Sequence, residues 1–265
     1  MAGIQVVWLV VIFFLTSAVS VVTGSTSLVT VPAMLQFHIE PRTALATNMF
    51  ALTFMSVGGT LPFLRSPNVN RERLPLLVSL TLLGSAIGAF LLLRVPTRSV
   101  PMIVSFAVIA VAAFSVVYRK SGMQESAIPP SIGSEIAGYA LTFLLGIYGG
   151  FFSGGYVTIL TAVYVAVFRF TFVEAIATTK LMNVFSSAVA TAVFMWHGLV
   201  SYRLGLILGA TMFLGALVGA RFAIRVGNLW LRRIFLTAVW ALGLKALLFD
   251  VWGTRAGSEA ASPSQ

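Results

Sequence analysis

Apolar residues run along this chain in blocks of helix length, separated by short polar or glycine-rich breaks. A helix needs about 20 apolar residues to cross a bilayer. Segments of that order lie at Ile4–Val22, Thr43–Leu64, Leu74–Leu93, Val100–Tyr118, Ile136–Phe152, Val173–Trp196, Leu204–Ala220 and Ile234–Trp252. Two shorter runs, Ser27–Phe37 and Tyr156–Phe168, follow the first and fifth of these across glycine breaks. Arg119–Glu135 holds Arg119, Lys120, Glu125, Pro129 and Pro130 and no apolar run, so it reads as a linker. The pattern predicts an all-α polytopic integral membrane protein: a transmembrane unit over 1–118, a polar linker over 119–135, a second unit over 136–252, and a small polar, disordered tail over 253–265. About eight full transmembrane helices are expected, with two short broken or re-entrant ones.

Composition agrees with the pattern. The chain is 58% hydrophobic and only 9% charged, where a soluble domain carries about 25% charged residues. Its net charge of +10 would suggest nucleic acid in a soluble protein. Here most basic residues stand between apolar segments, where they act as orientation signals and lipid headgroup contacts. No cysteine is present, which excludes disulfides and thiolate metal sites. The first apolar run lacks a basic leader, so a cleaved signal peptide is not expected.

The two sides of the linker are copies. Shifting the sequence by 131 positions superposes Gly24 on Gly155, and Ala44, Ala46 and Thr47 on Ala175, Ala177 and Thr178. The same frame sets Leu83, Gly84, Gly88, Ala89 and Arg94 on Leu214, Gly215, Gly219, Ala220 and Arg225. Glycine and arginine recurring in one frame over so long a stretch indicate an internal duplication of four to five helices per half. With four crossings per half the repeats are parallel, and the 15 loop cations divide eight to seven between the two sides. With five crossings the repeats are inverted and the division is ten to five, the asymmetry that cytoplasmic loops show. The inverted arrangement is the one expected, with the linker inside and both termini outside. Gly84-x-x-x-Gly88 and Gly215-x-x-x-Gly219 read as close helix packing.

Candidate chemistry gathers at Gly146–Asn183. Gly149, Gly150, Ser153, Gly154 and Gly155 interrupt an apolar segment, and Lys180 sits inside the next one. A broken helix with a cation beside it inside a membrane suggests a binding site. Asn183 lies one turn from Lys180, and Thr178 and Thr179 flank it, so cation, amide and hydroxyls converge as an anion site would require. The first half carries Gly24, Ser25, Thr47 and Asn48 at equivalent places, but Met49 and Leu52 stand where Lys180 and Asn183 stand. A single central site between two unequal repeats fits that difference. Lys245 reads as an interfacial anchor, and His38 and His197 fall at segment ends. No carboxylate lies mid-span, and no catalytic set, metal motif or phosphate loop is present. Neither catalysis, a metal nor a cofactor is therefore expected.

Duplicated halves, each with a Gly/Ser-rich break followed by Ala-x-Ala-Thr, resemble the sulfite exporter TauE/SafE family of permeases. The first break reads Gly24-Ser-Thr-Ser-Leu-Val-Thr-Val-Pro32; the second is Ser153-Gly-Gly, followed by Ala177-Thr-Thr-Lys-Leu-Met-Asn183. Family members carry a run of glycines before the Val-Pro, where this chain has Ser25, Thr26 and Ser27. The resemblance implies a multi-pass permease of the cell membrane that moves a small anion such as sulfite, a sulfonate or a related carboxylate. Its partners would be the anion and the lipid bilayer, with a coupling ion and a homo-oligomer left open. The alternative is a non-transporting accessory protein that holds a partner complex, which would call for a large docking loop.

Overall fold

The computed structural model describes residues 3–61, 72–120 and 130–226. The chain forms helices α1 (Gly3–Thr23), α2 (Ser27–Gln36), α3 (Pro41–Thr60) and α4 (Leu74–Arg94), then a 3₁₀ turn at Thr97–Ser99 and α5 (Val100–Lys120). After the linker come α6 (Ile132–Phe151), α7 (Tyr156–Val167), α8 (Phe172–Trp196) and α9 (Tyr202–Val226). No strand occurs among the described residues. The expected segment Ile234–Trp252 with Lys245, the tail, and residues 62–71 and 121–129 lie outside the described residues.

Helix starts follow local chemistry. Glu40 accepts from the Thr43 amide (2.7 Å), Ser131 from Ser134 (3.2 Å) and Thr171 from Glu174 (3.3 Å), which caps α3, α6 and α8. The Ser131 cap starts α6 four residues earlier than apolar content alone suggested, and α5 runs on to Lys120, so helix enters the 119–135 segment from both ends. Helices α2 and α7 have no side-chain cap. Both end in a left-handed residue, His38 (φ 59°) and Arg169 (φ 60°), which stand 131 positions apart.

Among the described residues five helices are long and apolar enough to cross a membrane: α1, α4, α6, α8 and α9. Helix α3 falls short because Thr43, Thr47, Asn48, Thr53, Ser56 and two glycines dilute it, yet most of it is buried. The outward faces are apolar. Trp8 on α1, Leu83 on α4, Ile136 on α6 and Phe222 on α9 are all more than half exposed, as lipid-facing side chains are. Helix α8 is central: 61% of its most apolar stretch is buried, against 28% for that of α1 and 22% for that of α6.

Paired contacts give the helix directions. Gly205 and Gly209 of α9 meet Phe50 and Phe54 of α3, and Gly215 and Gly219 meet Phe14 and Ala18 of α1, so α1, α3 and α9 run parallel. Gly84 and Gly88 of α4 receive the backbone of Phe143 and Ile147 on α6, and Ser85 bonds Ser186 of α8 (2.7 Å) while Thr81 meets Met182. Helices α4, α6 and α8 therefore also run parallel. Across the centre Asn183 reaches Ser56 and Thr191 reaches Thr53, so α3 and α8 are antiparallel. Helix α1 thus runs opposite to α6. Both Gly-x-x-x-Gly pairs sit where a β-carbon would collide with a neighbouring backbone.

Candidate functional site

The two glycine breaks meet at the centre of the fold. Gly24 (φ 72°) and Gly155 (φ 76°) both adopt the left-handed conformation that turns the chain into α2 and α7, a conformation costly for any residue with a β-carbon. A β-carbon on Gly24 would stand 2.7 Å from that of Val157 and 2.8 Å from the Thr158 amide nitrogen. Beside this contact the Ser25 and Thr158 hydroxyls bond at 3.0 Å. The N-terminal ends of α2 and α7, each with its positive dipole end, thus face one another.

Between them lies a cavity of about 10 Å³, lined by Gly24, Thr26, Ser27, Leu52, Met55, Ser153, Val157, Lys180 and Asn183. That is room for about one water. Asn183 donates to Ser56 (2.5 Å) and accepts from Ser153 (3.5 Å). Asn48 donates to Ser27 (2.9 Å) and accepts from Thr30 (2.7 Å), which braces the start of α2 against α3. Lys180 is 1% exposed, and its Nζ donates to the Ser20 carbonyl at 3.0 Å. That carbonyl also accepts from the Gly24 amide (2.8 Å) and stands in the last turn of α1, the negative end of the helix dipole. The sequence offers Lys180 no mid-span carboxylate, and its partner is supplied by a helix end instead.

Of the residues singled out from sequence, Lys180, Asn183, Ser153 and Gly24 line the cavity, and Ser25 and Asn48 support its wall. Gly155 forms the turn and packs on Val111, while Gly154 fits between Phe152 and Leu28. The three threonines do not line it. Thr47 accepts from the Ser201 amide (3.0 Å) near the start of α9, and Thr179 bonds Thr161 (3.1 Å). The Thr178 hydroxyl is buried without a hydrogen-bond partner among the described residues. These side chains miss the cavity because successive helix positions turn by 100°, so Thr178 and Thr179 cannot share a face with Lys180. Ser20, Ser27, Ser56, Leu52 and Met55 were not singled out. Ser56 had a visible signal, since it superposes on Ser187 in the repeat frame.

Among the described residues no group of three His, Cys, Asp or Glu side chains could hold a metal. The cavity offers donors: one ammonium, one amide and several hydroxyls. Groups of these kinds can donate hydrogen bonds to an anion.

Known sequences agree on the kind of protein. The family described as Sulfite exporter TauE/SafE matches residues 9–246. The chain belongs to the TauE/SafE family. A probable membrane transporter protein of Sinorhizobium is 31% identical over 245 residues, covering 91% of each chain. Another from Haemophilus influenzae is 25% identical, covering 90% of this chain and 93% of the relative. The probable membrane transporter YfcA of Escherichia coli K12 is 27% identical, covering 92% and 90%. No solved structure matches the chain. As a TauE/SafE protein with several apolar helices, it is a multi-pass membrane transporter.

Proposed function

We propose that this TauE/SafE transporter moves a small anion (sulfite, an organosulfonate or a related sulfur or carboxylate anion) across the cell membrane. The site would lie where α3 and α8 cross, between two inverted repeats. Several features support the repeats: the 131-position frame, the matched left-handed glycines, and α6 packing on α4 as α1 packs on α9. The opposite directions of α1 and α6 favour inversion. Five crossings per half would put the ten-cation side, with the linker, in the cytoplasm.

One observation carries the substrate class. Lys180 reaches a buried polar cavity rimmed by the starts of two helices, with no carboxylate lining it. A cation at membrane depth without a countercharge attracts an anion, and helix starts supply directed donors. At about 10 Å³ the cavity is too small for a sulfur oxyanion, so its walls must move before one enters. Substrate entry requires the tips of α2 and α7 to part, and Lys180 then exchanges the Ser20 carbonyl for the anion. Counterflow in proteoliposomes against sulfite, thiosulfate, taurine, sulfoacetate and short carboxylates tests this. At least one should exchange; if none does, while neutral or cationic solutes do, the anion assignment is wrong.

A further inference from the structure

From the cavity a row of buried hydroxyls leads away along α8. Asn183 lines the cavity, and Ser186 follows it one turn along α8. Ser85 donates to Ser186 at 2.7 Å, and Ser186 and the Tyr156 ring both lie against Gly149. The Tyr156 and Tyr164 hydroxyls follow, toward Thr81 and Thr142. Both tyrosines are 0% exposed, and their hydroxyls stand near Thr81 and Thr142 without a hydrogen bond of good geometry. Tyr164 and Tyr139 lie 5.5 and 5.2 Å from the Phe168 ring, which stacks on Phe170 at 5.6 Å. Over both phenylalanines stands Arg73, 5.4 and 5.7 Å from their centroids, ion-paired with Glu135. Since α4, α6 and α8 all start at this face, the row spans roughly 10–20 Å from Arg73 inward.

The residues that stand opposite this row in the other half are mostly apolar. In the 131-position frame Ser186, Ser85, Thr81, Tyr164 and Thr142 fall on Met55, Ala216, Met212, Ala33 and Val11. Of the row, Tyr156 alone has a hydroxyl opposite it, Ser25, and that one is bonded to Thr158. A buried hydroxyl without a partner is destabilising, and it persists where water or an ion visits. Two such tyrosines in series mark a route.

We propose that this row is a passage for the transported oxyanion between the cavity and the face bearing Arg73, closed in this conformation by Phe168, Phe170 and the Arg73–Glu135 pair. The proposal rests on the cavity being the anion site. Hydroxyls replace part of the anion's hydration shell along the way, and Arg73 at the mouth attracts it.

The chain contains no cysteine, so single cysteines report accessibility in an otherwise unaltered sequence. Thr142→Cys and Ser85→Cys are compared with their copies Val11→Cys and Ala216→Cys. The reconstituted full chain is treated with a membrane-impermeant methanethiosulfonate from the Arg73 side. Adding Arg73→Ala should speed modification of Thr142→Cys and Ser85→Cys about tenfold, the shift expected from losing an ion pair and its cation–π contacts. The two copies should not respond. Equal rates at Thr142→Cys and Val11→Cys in the Arg73→Ala background overturn the passage. Should Ser85→Cys not fold, Thr142→Cys carries the comparison. Tyr164→Phe adds a functional arm: it should keep or raise thermal stability while sulfite flux falls severalfold, and unchanged flux counts against the passage. Accessibility needs no substrate. Modification without any sulfite-induced stabilisation or flux would therefore retain the passage and discard the anion site.

Discussion

Lys180→Met separates a binding role for the lysine from a structural one. Lys180 Nζ makes a bond to the Ser20 carbonyl at 3.0 Å, and that carbonyl keeps the Gly24 amide at 2.8 Å when the lysine is gone. Truncation therefore leaves no orphaned acceptor. The lost charge-assisted bond is worth about 1.5–3 kcal/mol, while removing a charge from membrane depth returns about 2.5–3.5 kcal/mol on insertion scales. Methionine fills a similar volume and adapts to irregular space. Thermal stability without ligand should stay equal or rise. Anion affinity should fall about ten- to hundredfold, since one charge-assisted bond to the ligand is lost. Lys180→Arg should retain part of it, as charge survives while geometry changes. The assay is the anion-induced shift in Tm for sulfite and for whichever anion exchanges in counterflow. An equal shift in wild type and Lys180→Met would show that Lys180 is not the anion ligand. A Lys180→Met protein far less stable than wild type would instead make the lysine a clasp on the end of α1.

Three further outcomes are expected. Reporter fusions at Gln124 and Gln265 should report opposite sides of the membrane; the same side for both would remove the five-crossing inverted arrangement. Gly155→Leu should insert but lose flux, because its φ of 76° and the Val111 side chain leave no room for a branched residue; full transport would return the break to ordinary packing. Ser56→Ala removes the acceptor of the Asn183 amide and should cost about 1–3 kcal/mol, read as a lower Tm, whereas an unchanged Tm would mean that Asn183 finds another partner.

Blocks of apolar residues determined, by themselves, that this chain builds membrane helices, because burying each backbone hydrogen bond within one segment is a local solution to a lipid environment. Polar α3 was legible as a segment for the same reason, although it needed neighbours to hide Asn48 and Ser56. Glycine spacing on α4 and α9 announced close packing, since only small residues admit another backbone. Lys180 and the two breaks pointed to a candidate site, because a buried cation and an interrupted helix are each costly alone. What the tertiary structure decided was which groups meet. Lys180 and Ser20 are 160 residues apart, Asn183 and Ser56 are 127 apart, and Ser25 and Thr158 are 133 apart. No periodicity encodes such pairs. They follow from the angle at which α3 crosses α8 and from the rotation of each helix about its axis. That rotation turned Thr178 and Thr179 away from the cavity and brought Ser27 and Met55 to it, a matter of one 100° step per residue that composition leaves open.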